Sequence, residues 1–365
     1  MITEIIKIIE GGLNKDPNKV LNYAKLLAEN LGKSGDTKAA DRILRALHHK
    51  QAQPIYLDQL LVAPVDQETR MNIADLVIPQ PNQNVPIILS ESLRHKLDGF
   101  VGRVQHRNEL QAVGIDPQAS LLLYGPPGCG KTTLAHYIAH QMQLPLVVAR
   151  LDSLVSSLLG NTAKNIRKIF EFASRQPCIL FLDEFDAIAK ARDDQHELGE
   201  LKRVVNSLLQ NIDEYVESNI LIAATNHEEL LDKAIWRRFN SIIEVAQPQE
   251  AEVQQLLKLF LSPMKLNFEL DSKKGDSLAD LLKGNSPADI KSICQNAIAQ
   301  SVLDKKSSLT YDDLLLQFYY YKHHSAASSE ALMGFLSSYG VSQAAIADLL
   351  DTSLRQVRNY FNPKA

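Results

Sequence analysis

The chain reads as an α/β protein, a parallel sheet covered by helices, with helical segments before and after it. Three observations predict this. Between 90 and 247, apolar runs of strand length alternate with helical periodicity. One of those runs, Leu121-Leu122-Leu123-Tyr124, passes directly into a glycine-rich turn and then a helical pattern. From 248 to 306 the periodicity is helical alone.

The bulk properties agree. A length of 365 residues allows two or three domains and at least one sizeable core, and 45% hydrophobic with 22% charged residues suits a water-exposed globular chain. The net charge of −4 provides no global attraction to nucleic acid or an anionic membrane. No apolar run approaches the length of a membrane span, and Glu4 and Glu10 make the start unlike a signal peptide. Cys129, Cys178 and Cys294 show no metal-ligand spacing and read as reduced thiols of a cytoplasmic protein.

Residues 1–50 form an N-terminal helical domain in this reading. Ile2, Ile5, Ile6, Ile8 and Ile9 make one apolar face; Asp16-Pro17 starts a second helix ending near Gly32; Asp36 caps a third containing Ala40, Ile43, Leu44 and Leu47. Residues 51–89, rich in Pro, Gln and Asn, read as a linker. The α/β domain of 90–247 has strand candidates over 121–124, 146–148, 178–182, 220–224 and 242–245. An all-helical unit follows over 248–306. Residues 307–328, with the polar aromatic patch Tyr319-Tyr320-Tyr321-Lys322-His323-His324, read as a second, solvated linker, and 329–365 as a terminal helical module.

The chemistry sits at the ends of the strands. In Gly125-Pro126-Pro127-Gly128-Cys129-Gly130-Lys131-Thr132, the glycines let backbone N–H groups turn inward around a polyphosphate, and the helix opening at Thr133 aims its positive end at the same anion. Lys131 reaches the β- and γ-phosphates, and the Thr132 hydroxyl ligates Mg²⁺. The apolar strand Ile179-Leu180-Phe181-Leu182 ends in Asp183-Glu184, at the sheet edge where ligands of open α/β sheets bind. Asp183 is placed to hold the metal through water and Glu184 to polarise the attacking water. Asn226, ending a further apolar strand, is placed to orient the water or the γ-phosphate. The adjacent Arg237 and Arg238 are candidates to supply charge to a phosphate.

These elements, in this order, resemble the AAA ATPases, the clade of the AAA+ superfamily that builds protein-remodelling rings. The resemblance covers about residues 90–305 and includes Gly284-Asn285-Ser286-Pro287-Ala288-Asp289-Ile290, similar to the turn that opens the family's lid helix near the adenosine. It implies an α/β P-loop AAA+ parallel-sheet domain with an all-α lid, flanked by the N-terminal helical domain and the C-terminal module. It implies ATP and Mg²⁺ as cofactors, Ala288 and Thr133 beside the nucleotide, Asp183 and Glu184 as the Walker B pair and Asn226 as sensor 1. Arg237 and Arg238 become arginine fingers acting on the neighbouring subunit's ATP. Fingers acting in trans require a head-to-tail homo-oligomer, a ring or spiral; six subunits are implied by the family.

Leu158-Leu159-Gly160 stand where such rings carry a pore loop, in place of the usual aromatic-hydrophobic-glycine set. Part of the likeness is to bacterial proteins encoded beside subtilisin-like proteases, which implies a protein partner of that kind. Residues 341–360 resemble a helix-turn-helix, with Ala347 at the crossing, Asp351 in the turn, and Arg355, Gln356, Arg358 and Asn359 exposed. That opens an alternative function, a DNA-bound ATPase switch or loader. From Ser325 onward Arg355, Arg358 and Lys364 balance Glu330, Asp348 and Asp351, so the module carries no net positive charge for phosphates.

Overall fold

The computed structural model describes residues 5, 8–9, 17–33, 37–48, 64, 72–80, 86–115, 118–151, 159–175, 177–187, 198–217, 219–323 and 328–362. Most of the first expected helix lies outside them. The next two are present as α1 (Pro17–Lys33) and α2 (Thr37–His48), which pack on each other.

Six strands form one sheet: β1 (Asp75–Val77), β2 (Ala119–Tyr124), β3 (Leu146–Arg150), β4 (Ile179–Asp183), β5 (Ile220–Thr225) and β6 (Ser241–Glu244), in the order β1-β3-β4-β5-β2-β6. All neighbours are parallel except β1 with β3. Both faces are covered, which is why the strands read as continuous apolar runs. On one face Leu122, Val147, Leu180, Leu182, Leu221 and Ala223 meet α6 (Leu159–Ser174) and α7 (Leu198–Val216). On the other, Leu121, Leu123, Val148, Phe181, Ile222 and Ile243 meet α3 (Glu91–Gln105) and α5 (Lys131–Met142). A short α4 (Arg107–Ala112) lies between α3 and β2. The alternation along each strand is the two-residue period of a pleat.

The segment 51–89 is not wholly a linker. Asp75–Val77 adds an antiparallel edge strand to β3. Further on, Ile87 and Leu89 pack into the core under α3 and α5, while Ile88, between them, packs into the helical unit beyond the sheet. An extended backbone turns successive side chains to opposite sides, so these three residues stitch two cores together.

The second linker, 307–328, is also corrected. Helix α12 (Tyr311–His323) runs through it, with Tyr311, Leu314, Leu315, Phe318 and Tyr319 buried. After α8 (Lys233–Trp236) and β6, it joins α9 (Glu250–Leu261), α10 (Lys273–Leu282) and α11 (Pro287–Leu303) in one core. The terminal helices α13 (Ser329–Ser338), α14 (Gln343–Leu349) and α15 (Leu354–Phe361) bury Leu332, Leu336, Ile346 and Val357 in that same core. Helices α9–α11 and α13–α15 therefore share one core with α12. Between α14 and α15 the backbone enters the left-handed region at Asp351 (φ 46°), a conformation Asp tolerates better than most residues.

Candidate active site

The phosphate loop joins β2 to α5, and its three glycines all have positive φ, 134° at Gly125, 76° at Gly128 and 94° at Gly130. Two of them also lack room. A Cβ on Gly125 would lie 2.5 Å from the Val245 carbonyl oxygen, and one on Gly128 would lie 2.5 Å from Ser286 Oγ. Lys131 is buried, and its Nζ donates to the carbonyls of Gly125 (2.7 Å) and Pro126 (2.9 Å), which hold the ammonium inside the loop. Burial lowers its pKa, against the opposing pull of Asp183, Asp186 and Glu228.

Thr132 Oγ donates to Asp183 Oδ2 at 2.9 Å, and Asp183 Oδ1 accepts the Glu184 N–H at 3.0 Å. A hydroxyl and a carboxylate meeting beside the phosphate loop fit Mg²⁺, which takes few protein oxygens and completes its shell with substrate phosphates and water. Glu184 has φ 54°, unusual for a residue with a Cβ; strain of this kind costs on the order of 1–3 kcal/mol and collects at functional sites.

One residue of this site had no role assigned from sequence. Asp186 is a buried carboxylate whose Oδ1 accepts the Thr225 hydroxyl at 3.2 Å and the Asn226 N–H at 3.3 Å. The Phe185 N–H donates to the Ala224 carbonyl at 2.8 Å. The end of β4 is thereby tied to the end of β5, and Glu184 and Asn226 are carried on one framework. The available signal was an acid three positions beyond Asp183, which sequence alone does not separate from a solvated one.

Beside the loop lies a cavity of about 840 Å³, of the size that holds a nucleoside. Cys129, Gly130, Thr133 and Ala288 line it, with Ile87–Leu89 and the chain beyond β6. The lid touches the loop directly, since the Ala288 N–H donates to the Gly128 carbonyl at 3.2 Å. Pro126 gives its carbonyl to Lys131, whereas the Pro127 side chain is exposed. All three cysteines are free and buried.

The two arginines part company. Arg238 is bidentate to Asp213, Nε at 2.7 Å and Nη2 at 3.0 Å, and gives Nη1 to the Ala234 carbonyl at 2.6 Å. Its own carbonyl accepts from the buried Ser120 hydroxyl, which also accepts the Asn240 N–H, both at 3.0 Å. Arg237, one residue earlier on this fixed turn, is exposed; its backbone N–H donates to the Lys233 carbonyl at 3.3 Å, while its guanidinium has no hydrogen bond or ion pair among the described residues. The two guanidinium groups therefore differ in setting: that of Arg238 is committed within the chain and that of Arg237 is exposed. Leu158 lies outside the described residues, and Leu159 and Gly160 open α6. Among the described residues, no helix is long and apolar enough to cross a membrane.

A mostly parallel sheet carrying a phosphate loop after β2, two acids where β4 ends, with β5 between these strands, and a helical lid against that loop defines a P-loop nucleoside-triphosphatase. The chain belongs to the AAA ATPases. Residues 121–247 match the family described as "ATPase family associated with various cellular activities (AAA)". The chain is 40% identical over 263 residues to an uncharacterized AAA family ATPase, y4kL, of Sinorhizobium fredii, covering 72% of this chain and 77% of that one. It is 30% identical over 308 residues to a proteasome-activating nucleotidase of Saccharolobus solfataricus, covering 82% and 74%. With proteasome-activating nucleotidase 1 of Haloferax volcanii the identity is 37% over 210 residues, covering 56% and 51%. The protein binds and hydrolyses ATP.

Proposed function

We propose that the chain assembles head-to-tail into a homo-oligomeric ring, six subunits by its family likeness, and spends Mg²⁺-dependent ATP hydrolysis on remodelling a protein partner. The observation that carries this reading is the exposure of Arg237 on a turn held by Asp213 and Ser120. A guanidinium presented outward on a rigid support suits a phosphate that belongs to another subunit.

Within one subunit, the loop N–H groups and Lys131 bind the triphosphate, and the lid residues Pro287 and Ala288 close on the nucleoside. Thr132 and Asp183 would hold Mg²⁺, which when bound would supply positive charge to the phosphates. Glu184 accepts the proton of the attacking water, and Asn226 orients that water against the γ-phosphate. Arg237 of the neighbouring subunit stabilises the charge that gathers on the transferred group. Arg238 keeps the turn in place.

The partner class is a protease or its substrates. Archaeal relatives carry the name proteasome-activating nucleotidase, and the sequence resembles proteins encoded beside subtilisin-like proteases. Leu158, Leu159 and Gly160 are the segment proposed to grip it. The DNA-bound alternative is less well supported, because the exposed Arg355 and Arg358 are balanced by acids of the same module. The assembly is tested by mixing Arg237→Ala subunits with Lys131→Ala subunits, which should regain ATPase activity at mixed interfaces; no rescue at any ratio sinks the reading. The partner is tested by isolating the Glu184→Gln protein in ATP: a bound protease or protease substrate is expected, and salt-sensitive DNA retention in its place favours the alternative.

A further inference from the structure

Helix α12, which the sequence concealed, reaches the nucleotide site through one side chain. Tyr321 Oη donates a hydrogen bond to Asp289 Oδ1. The other oxygen of that carboxylate accepts the Ser286 N–H at 2.9 Å, and Ser286 Oγ accepts the Asp289 N–H at 3.2 Å, closing a capping box on α11. The first turn of α11 lies on the phosphate loop: the Ala288 N–H donates to the Gly128 carbonyl, and Gly128 has no space for a Cβ beside Ser286 Oγ. Pro287, Ala288, Gly128 and Cys129 all line the nucleoside cavity.

We propose that Tyr321 is a positioning residue for nucleotide binding, acting through Asp289 to set the first turn of the lid helix against the phosphate loop. The inference rests on the ATPase site already described and not on ring assembly. The physical reason is the stiffness of the linkage. A capping box alone fixes the start of a helix relative to its own preceding turn. A third hydrogen bond, from a different helix, fixes it relative to the rest of the lid. Asp289 is held as a carboxylate: burial works against its charge, and the bonds from Tyr321 and Ser286 outweigh that penalty and lower its pKa. A hydrogen bond to a charged acceptor is among the stronger ones in proteins. Losing it frees the lid helix to drift from Gly128 without removing any group that touches the reacting phosphate.

The test uses the full chain and the fluorescent nucleotide N-methylanthraniloyl-ATP with Mg²⁺. Tyr321→Phe should raise its Kd about tenfold, the scale of one bond to a charged group. KM for ATP should rise in parallel and kcat should stay within about twofold, because the lost contact acts on binding. Asp289→Asn should do at least as much, and the double variant should be no worse than Asp289→Asn alone, since both act on one linkage. Tyr311→Phe is the control, removing a hydroxyl 3.2 Å from Ser277 in the same helix but away from the loop, and should leave nucleotide affinity unchanged. Wild-type affinity in Tyr321→Phe overturns the proposal, as does equal weakening by Tyr311→Phe or full additivity with Asp289→Asn. If Tyr321→Phe fails to fold, the affinity of Asp289→Asn decides the matter.

Discussion

The Thr132 hydroxyl donates to Asp183 Oδ2 at 2.9 Å, joining residues 51 positions apart at the mouth of the phosphate loop. One comes from the first turn of α5 and the other from the last position of β4, so strand order brings them together. Where these oxygens serve Mg²⁺, removing the hydroxyl should weaken the metal complex and spare the free nucleotide. Thr132→Ala is expected to cut the affinity for MgATP and leave ATP binding in excess EDTA unchanged. Isothermal titration with and without metal measures both; equal losses in the two conditions contradict the assignment.

Glu184 is expected to matter for the chemical step alone. Glu184→Gln preserves shape and volume but cannot accept the water's proton, and the loss in turnover should be about 10²–10⁴-fold. Nucleotide affinity should remain, because Lys131 and the loop N–H groups are untouched. Phosphate release and equilibrium binding measured on the same preparation separate the two effects.

Arg237 and Arg238 should behave differently. Arg237→Ala should fold with an unchanged thermal midpoint and lose activity by about 10³-fold or more, as removal of a transition-state arginine does. Arg238→Ala should instead lower stability. The Arg238 side chain is 25% exposed but Asp213 is 51% exposed, so the pair is screened and its coupling should stay near or below about 1 kcal/mol. Thermal denaturation of Arg238→Ala, Asp213→Ala and the double variant measures that coupling.

Gly128 is constrained twice, by its left-handed backbone and by Ser286, whose Oγ would lie 2.5 Å from a Cβ placed there. Gly128→Ala should destabilise the protein by about 1–3 kcal/mol and push the lid helix off the loop, weakening nucleotide binding at the same time. Urea midpoints and nucleotide Kd should move together. A variant with normal affinity would show that the lid tolerates displacement.

Stability should also fall in alkali. Burial pushes the Cys178 thiol up to about 11 and the Cys294 thiol up to about 12, from an ordinary value of 9.0. Their folded pKa values are raised, so their contribution is fully present below pH 9 and is lost as pH rises, where the unfolded chain releases its protons first. Urea midpoints should therefore drop between pH 9 and 11. Cys178→Ala and Cys294→Ala should each flatten that slope, whatever they cost in packing at neutral pH.

The central strands were legible because both faces of the sheet are covered, which makes most positions of β2, β4 and β5 apolar; the polar exceptions, Ser120, Asp183 and Thr225, each have a hydrogen-bond partner. The edge strand β1 was not. It is three residues long and only partly buried, and it becomes a strand by pairing with β3 rather than through any pattern of its own. Helix α12 was hidden for a related reason. Tyr319, Tyr320 and Tyr321 look uniformly polar in sequence, yet Tyr319 is buried, Tyr320 is exposed and Tyr321 bonds to Asp289. Tyrosine serves a core and a surface equally well, so only the packing partner discriminates.

What the amino-acid order determined by itself was the set of local devices: glycines where the backbone must turn inward, acids at the end of a buried strand, Ser286 and Pro287 at the head of a helix. Each works through neighbours a few positions away, so spacing alone carries it. What only the tertiary structure decided was the sharing of duties between residues distant along the chain. Arg238 belongs to Asp213 while Arg237 faces outward, Ile88 belongs to a different core from Ile87 and Leu89, and Asp186 bridges two strand ends. Those choices follow from which surfaces meet when the sheet and the lid close, and a contact between distant segments leaves no period in the sequence to read.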